Sequence, residues 1–171
     1  MAIFFVNQKN TYKQERAGSY RWSPKFNKNG TNNSSYKLMK EVKKGDFIIH
    51  NAGCKITAIS RVKEDCKSEN KPNSLNDEEN RWENDGWKVN TEYYDLSSPL
   101  SISDLKDWTK DHPQEGGAFM TKEGKSLGNP KQGYLFKLTD EQADYILRSL
   151  LRGGENEEVR EIIESALSQL H

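Results

Sequence analysis

Three tryptophans in polar, turn-forming surroundings are the residues of this chain best suited to recognition chemistry. Trp22 lies in "SYRWSP", Trp82 in "NRWEND" and Trp87 in "NDGWKV". Tryptophan normally belongs either to a core or to a binding site. Rings held at a rim stack on flat ligands such as nucleobases, at about 1–3 kcal/mol per base. For any one of the three alone, a place in the core is the alternative.

Motifs of catalysis are missing from the sequence. The phosphate-binding loop, the dinucleotide fingerprint and the hydrolase elbow do not occur. Residues 41–43 lack the preceding aspartate of a metal-dependent nuclease, and His50–Asn51 lacks the further histidines of a histidine–asparagine nuclease. Two cysteines and three scattered histidines do not form a zinc site. We therefore expect a binding protein without a cofactor or metal, not an enzyme.

Charge is distributed unevenly although the net charge is zero. Residues 1–67 carry 14 Lys+Arg and 5 Asp+Glu, a balance of +9, and residues 68–171 carry 12 and 21, a balance of −9. This asymmetry is compatible with one face meeting phosphates. No apolar run has the length of a membrane span, and "MAIFFVNQKN" is typical of a first strand, not of a signal peptide. A cytoplasmic protein without membrane contact is expected.

The elements that must position these residues are strands interspersed with short helices. "IFFVNQ" and "YLFKL" are predicted strands, and residues 47–50 and 54–65 are predicted to form a hairpin. Residues 87–94 alternate, with Trp87, Val89, Thr91 and Tyr93 on one face, and are predicted to form a strand with one buried side. Residues 67–80 are predicted to lack regular structure. Helices are predicted after the cap Thr139 and in the amphipathic C-terminal segment. The pattern indicates an α+β domain with a curved sheet or small barrel flanked by short helices.

The order of several motifs resembles the EVE domains of the PUA-like superfamily, which are relatives of the YTH readers of N6-methyladenosine in RNA. These motifs are "FFVNQ", "GSYRWSPK", "EVKKGDFIIHNAGCKITAISRV", "DGWKVNTEYYDL" and "GYLFKLTDEQADYIL". The resemblance covers residues 1–151 and leaves residues 152–171 as a linker and amphipathic helix. It is strongest to EVE domains at the front of modification-dependent restriction proteins.

The resemblance implies a sensor module of an antiphage restriction system. Such a module flips a modified base, most simply a methylated or hydroxymethylated base in DNA, into an aromatic cage. Its partner is an effector nuclease or NTPase, to which the C-terminal helix leads unless that helix folds back on the domain. A YTH-like reader of modified RNA and a PUA-like module for a small molecule or protein are the alternatives.

The resemblance also implies site residues. Trp22 and Trp87 form walls of the base pocket, and Trp82 is a third wall or lid. Polar groups at or near the pocket are Asn7, Gln8, Ser23, His50 and Asn51, although Asn7 and Gln8 could instead satisfy a turn of their own backbone. Phosphate contacts are expected from basic side chains of the N-terminal half, which are Lys9, Lys13, Arg16, Arg21 and Lys25.

Overall fold

A computed structural model describes residues 1–8, 11–75, 77, 81–112, 117–119, 128–131 and 135–170. The strands within them are β1 (Ile3–Asn7), β2 (Tyr20–Pro24), β3 (Phe47–Ala52), β4 (Lys55–Val62), β5 (Lys67–Asn70), β6 (Asp85–Ser101) and β7 (Leu135–Lys137). The helices are α1 (Tyr12–Gly18), α2 (Ser34–Leu38) with a 3₁₀ turn (Met39–Glu41), α3 (Ile102–Asp111), α4 (Asp140–Arg152) and α5 (Glu157–Ser168).

The strands form a mixed, curled sheet in the order β2-β6-β4-β3-β1-β7, with β5 also paired to β6. β1 and β3 are parallel, and the remaining pairs are antiparallel. The first residues of the 17-residue β6 pair with β2 and β5, and the rest of it pairs with β4. Irregular register in β3–β4 and β4–β6 adds local twist. The result is a half-barrel, and the predicted α+β fold class is confirmed.

Two apolar cores lie on opposite faces of this sheet. Alternate residues of β1 divide between them, because successive side chains of a strand point to opposite faces. Ile3 and Phe5 belong to the outer face, which α3, α4 and α5 cover. Phe4 and Val6 belong to the opposite face, which is called the inner face, together with Met39 of the 3₁₀ turn.

The C-terminal helix α5 folds back on the domain. Asn156 caps it by accepting from the backbone N–H of Val159, and Val159 and Ile163 are buried in the outer-face core. The predicted cap of α4 is confirmed as well, since Thr139 and Gln142 form a reciprocal capping box. No helix of the described residues is long and apolar enough to span a membrane.

β5 differs from the sequence-based expectation, which gave residues 67–80 no regular structure. Lys67–Asn70 forms four antiparallel pairs with the start of β6. Four polar residues show no apolar alternation from which a strand could be predicted. β5 forms because its backbone pairs with β6, and not because it buries one side. The position of β5 matters for the site described next.

Candidate functional site

An aromatic cluster lies on the outer face of the sheet, beyond the part that the helices cover. Its members are Tyr20 and Trp22 of β2, Leu75 and the half-buried Trp82. Trp22 is 1% exposed, and its indole Nε1–H donates to the carbonyl of Glu69 in β5 at 3.0 Å. The indole lies directly over Gly86, where an added Cβ would come within 2.3 Å of two ring atoms. Because Gly86 of "DGW" has no side chain, the Trp22 indole can occupy the space above it.

Trp82 is held in place through its backbone. The buried Asp77 carboxylate accepts hydrogen bonds from the N–H groups of Arg81 and Trp82 at 2.8 and 3.1 Å. It also pairs with Lys71 Nζ at 2.8 Å. Burial by itself raises the pKa of Asp77, but these hydrogen bonds outweigh it and the pKa is lowered. A charged Asp77 thus anchors the backbone of Trp82, whose ring packs against the cluster of Tyr20, Trp22 and Leu75.

A hollow of about 450 Å³ adjoins Tyr20 and carries polar groups. It is lined by Lys13, Gln14, Ala17, Gly18 and Ser74. The hydroxyls of Tyr20 and Ser74 are 3.2 Å apart, and Gln14 Oε1 has no hydrogen-bond partner among the described residues. The cluster therefore combines flat rings with groups able to read the edge of a base.

Trp87 lies on the opposite face from Trp22. In the β2–β6 register Trp22 is opposite Lys88 and Ser23 is opposite Trp87, and residues directly opposite share a face. Trp87 is half-buried on the inner face, with Lys25 Nζ 4.5 Å and Lys40 Nζ 5.4 Å from its ring centroid. The structure brings Trp22 together with Trp82, and the predicted pairing of Trp22 and Trp87 as walls of one pocket does not match this arrangement.

The predicted polar residues lie in separate places. Gln8 and His50 are buried on the inner face, where His50 Nδ1 is 2.6 Å from Gln8 Oε1 and Nε2 is 2.7 Å from the Ser60 hydroxyl. Ser23 is fully buried and its hydroxyl donates to the carbonyl of Pro24. These three side chains lie inside the fold and form no pocket with Trp22. Asn7 and Asn51 meet elsewhere, at a cleft on the outer face.

His50 should make stability depend on pH. Burial lowers its pKa well below the usual value, with smaller contributions from Arg21 and Arg16. The folded protein holds His50 neutral, whereas the unfolded chain takes up a proton below its ordinary pKa of about 6.5. The contribution of His50 to the free energy of unfolding should therefore be fully present above a pH of about 6.5 and fall by about 1.4 kcal/mol per pH unit below it.

Urea unfolding at pH values on either side of this point measures the effect. His50→Gln, which keeps a hydrogen-bonding side chain but cannot titrate, should show a smaller loss between the same pH values. An equal loss in both proteins would mean that another group is responsible.

The predicted phosphate contacts are mostly paired with carboxylates. Arg21 is a correction: it is 1% exposed, and its Nη1 donates to the buried Glu15 carboxylate at 2.6 and 2.8 Å. A guanidinium inside the fold does not reach phosphate. Arg16 makes a two-pronged pair with Asp95 at the surface. Lys13 is exposed beside the hollow, and Lys9 lies outside the described residues.

A second basic surface, which the sequence reading missed, is formed by four lysines around the 3₁₀ turn. We call this surface the lysine strip, and it consists of Lys37, Lys40, Lys43 and Lys44. All four side chains are exposed. Within the part of the chain that the structure describes, none of them forms an ion pair. Lys25, by contrast, pairs with Asp85 at 3.1 Å. The signal was available, since residues 37–44 contain four lysines and one acid, Glu41. Tyr20 was also missed, although it shares a face with Trp22 by strand periodicity.

Within the described ranges, no three His, Cys, Asp or Glu side chains converge to hold a metal ion.

Comparison with known proteins gives similarity of fold. No family model matches the chain, and no curated protein matches it. Among solved structures, the Pho92 YTH domain in complex with m6A is 10% identical, with a TM-score of 0.56, over 91% of this chain and 86% of that one. Human THYN1 in complex with 5-methylcytosine DNA is 12% identical, with a TM-score of 0.55, over 88% and 98%.

A third neighbour, protein Atu2648 from Agrobacterium tumefaciens, is 16% identical, with a TM-score of 0.51, over 92% and 96%. At these identities the likeness concerns the fold alone. The chain therefore has the curled half-barrel fold of the YTH domain and of human THYN1, in agreement with the fold implied by the EVE and YTH resemblance.

Proposed function

We propose that this protein binds nucleic acid carrying a modified base and holds that base against Trp22 and Trp82. The observation that carries the proposal is the aromatic cluster itself, where Trp82 packs against the buried side chains of Tyr20, Trp22 and Leu75. Two neighbours in fold support it, because the Pho92 YTH domain was solved with m6A and human THYN1 with 5-methylcytosine DNA.

Binding requires a small rearrangement of the cluster. Trp22 is 1% exposed, so a base reaches its ring only when Leu75 and Trp82 move aside. A base taken from a duplex also costs a few kcal/mol in lost stacking and pairing. Stacking on the two rings offsets this cost, and the residues that line the hollow, which include Lys13, Gln14 and Ser74, supply donors and acceptors for the edge of the base in this proposal.

Discrimination rests on the small modification. Burial of one methyl group contributes about 0.8 kcal/mol, which corresponds to roughly fourfold in affinity. We therefore expect a graded preference for the modified base. The sequence resemblance supports DNA as the polymer and a non-catalytic sensor role beside an effector nuclease or NTPase in a restriction system. Modified RNA is the alternative polymer.

The lysine strip supplies the phosphate contacts in this proposal. Its four ammonium groups carry no compensating carboxylate among the described residues, and Lys40 lies over the ring of Trp87. Trp87 is the third residue of β6, five residues after Trp82, and lies on the opposite face of the sheet from the aromatic cluster. A nucleic-acid strand whose base enters the cluster would therefore pass around the start of β6 to reach the lysine strip on the other face.

A fluorescence titration tests both the recognition of the modified base and the phosphate contacts of the lysine strip. Duplexes with 5-methylcytosine, 5-hydroxymethylcytosine, N6-methyladenine or no modification, and the corresponding RNAs, are titrated at several salt concentrations. One modified ligand should bind more tightly than its control and quench tryptophan emission. Equal binding of modified and plain ligands would overturn the base-reading proposal.

The salt dependence of the same titration reports on the lysine strip. Changing its four lysines to glutamine should reduce the slope of log K against log salt by about 3–4 for duplex DNA. The matched control changes four exposed lysines elsewhere, Lys55, Lys63, Lys110 and Lys137. An equal reduction in both variants would mean that the strip has no particular role.

A further inference from the structure

A second cavity, unrelated to the aromatic cluster, opens on the outer face beside the start of α3. Its volume is about 710 Å³, within the range of small-molecule sites. One wall is the β3–β4 turn at Gly53 and Cys54, and another is the start of α3 at Ile102 and Ser103, with Lys106 in the next turn. Asn129 and Pro130 complete the rim, and the amides of Asn7 and Asn51 lie at its inner end.

The two amides leave one buried acceptor without a partner. Asn7 Nδ2 donates to the carbonyl of Lys131 at 3.4 Å, which fixes the orientation of the Asn7 amide. Asn7 Oδ1 then accepts from Asn51 Nδ2 at 3.1 Å. Asn51 is 3% exposed, and its Oδ1 has no hydrogen-bond partner among the described residues. Because a carbonyl anchors the chain of bonds, the unpaired atom is an acceptor, and a ligand that bonds it must offer a donor.

The first turn of α3 gives the same cavity a preference for negative charge. Ser101 stands at the N-cap, but its hydroxyl bonds the Ser103 hydroxyl at 2.9 Å and makes no cap bond to the backbone. Amide groups at a helix start carry a partial positive charge that favours anions. Lys106 is the charged residue in the described lining, which contains no carboxylate. Asp104, in the same turn, is exposed and outside that lining.

We infer that this cleft binds a nucleoside monophosphate. Its phosphate lies at the start of α3 beside Lys106, and a neutral donor, either a sugar hydroxyl or a base amino group, bonds Asn51 Oδ1. A cationic donor is disfavoured because the described lining offers no carboxylate to balance it. The inference is independent of the proposed function, since the cleft and the aromatic cluster share no residue.

The test is a titration of the ¹⁵N-labelled protein with adenosine 5′-monophosphate and cytidine 5′-monophosphate, followed by amide chemical shifts. Inorganic phosphate and the two nucleosides are titrated in parallel. A nucleotide should produce saturable shifts at Gly53, Cys54 and Ser103, with affinity at least about tenfold above that of phosphate or nucleoside. Shifts of the Trp82 indole instead would place the ligand in the aromatic cluster and overturn the inference.

Variants separate the site from general charge effects. Asn51→Asp keeps the size and an acceptor but adds a negative charge, so affinity should fall at least about tenfold. Lys106→Gln, at the rim, should lower it severalfold even if Asn51→Asp fails to fold. Lys110→Gln, one turn further along α3 and paired with Asp107, should leave it unchanged. Absence of binding, equal binding of phosphate alone, or an equal effect of both lysine variants would each reject the site.

Discussion

Trp82→Ala is expected to weaken binding of the preferred modified oligonucleotide by about 5- to 150-fold, because stacking on one ring contributes about 1–3 kcal/mol per base. Trp82 is half-buried in the aromatic cluster, and Asp77 holds its backbone independently of the ring. The alanine variant should therefore fold. Trp82→Phe, which restores a flat ring, should recover most of the affinity. Fluorescence anisotropy of a labelled oligonucleotide measures both.

Trp108→Ala is the matched control for this prediction. Trp108 of α3 is also half-buried, but its ring stacks on Tyr145 of α4 at 4.2 Å and on His112, the residue after α3, at 3.9 Å. Its removal deletes a ring of the same size far along the chain from the aromatic cluster, so oligonucleotide affinity should stay the same. Equal losses in the Trp82 and Trp108 variants would exclude the cluster as the place where the base stacks.

Glu15→Ala is expected to lower the free energy of unfolding by about 3–5 kcal/mol, as removal of one partner from a buried ion pair does. Both side chains of the Glu15–Arg21 pair are essentially inaccessible, at 0% and 1% exposure. The Glu15 carboxylate also accepts from the Trp22 backbone N–H at 3.0 Å and from the Thr11 hydroxyl at 2.6 Å. Its loss leaves a buried guanidinium without its counter-charge and releases the backbone of Trp22.

Arg16→Ala is the contrasting surface variant, measured by the same urea unfolding. Arg16 and Asp95 form their ion pair with side chains 36% and 61% exposed, so its removal should cost less than about 1 kcal/mol. Similar losses in the two variants would show that the Glu15–Arg21 pair contributes little to stability. Such a result would also remove the reason to regard Glu15 as the support of Trp22.

Several features of the fold were predictable because they rest on short-range chemistry. The alternation of Trp87, Val89, Thr91 and Tyr93 identified one buried face of β6, and the structure places these side chains on the inner face. The Thr139 cap and the amphipathic spacing of α5 were equally local signals. Each depends on neighbours within about one helical turn or on the two-residue period of a strand.

The grouping of the candidate site residues was decided by the tertiary structure. Sequence spacing places Trp22 and Trp87 in separate strands, but only the register Ser23↔Trp87 shows that their rings lie on opposite faces. A shift of one residue in that register would reverse the result, since the side-chain period is two.

The burial of charged groups was also decided by the tertiary structure. Arg21 resembles its exposed basic neighbours in the sequence, and only the approach of α1 to β2 turns it into the buried partner of Glu15. The sequence by itself determined the α+β class, the buried face of β6 and the Thr139 cap of α4. The tertiary structure decided which face meets which partner, because strand register and long-range charge pairing depend on residues that are distant along the chain.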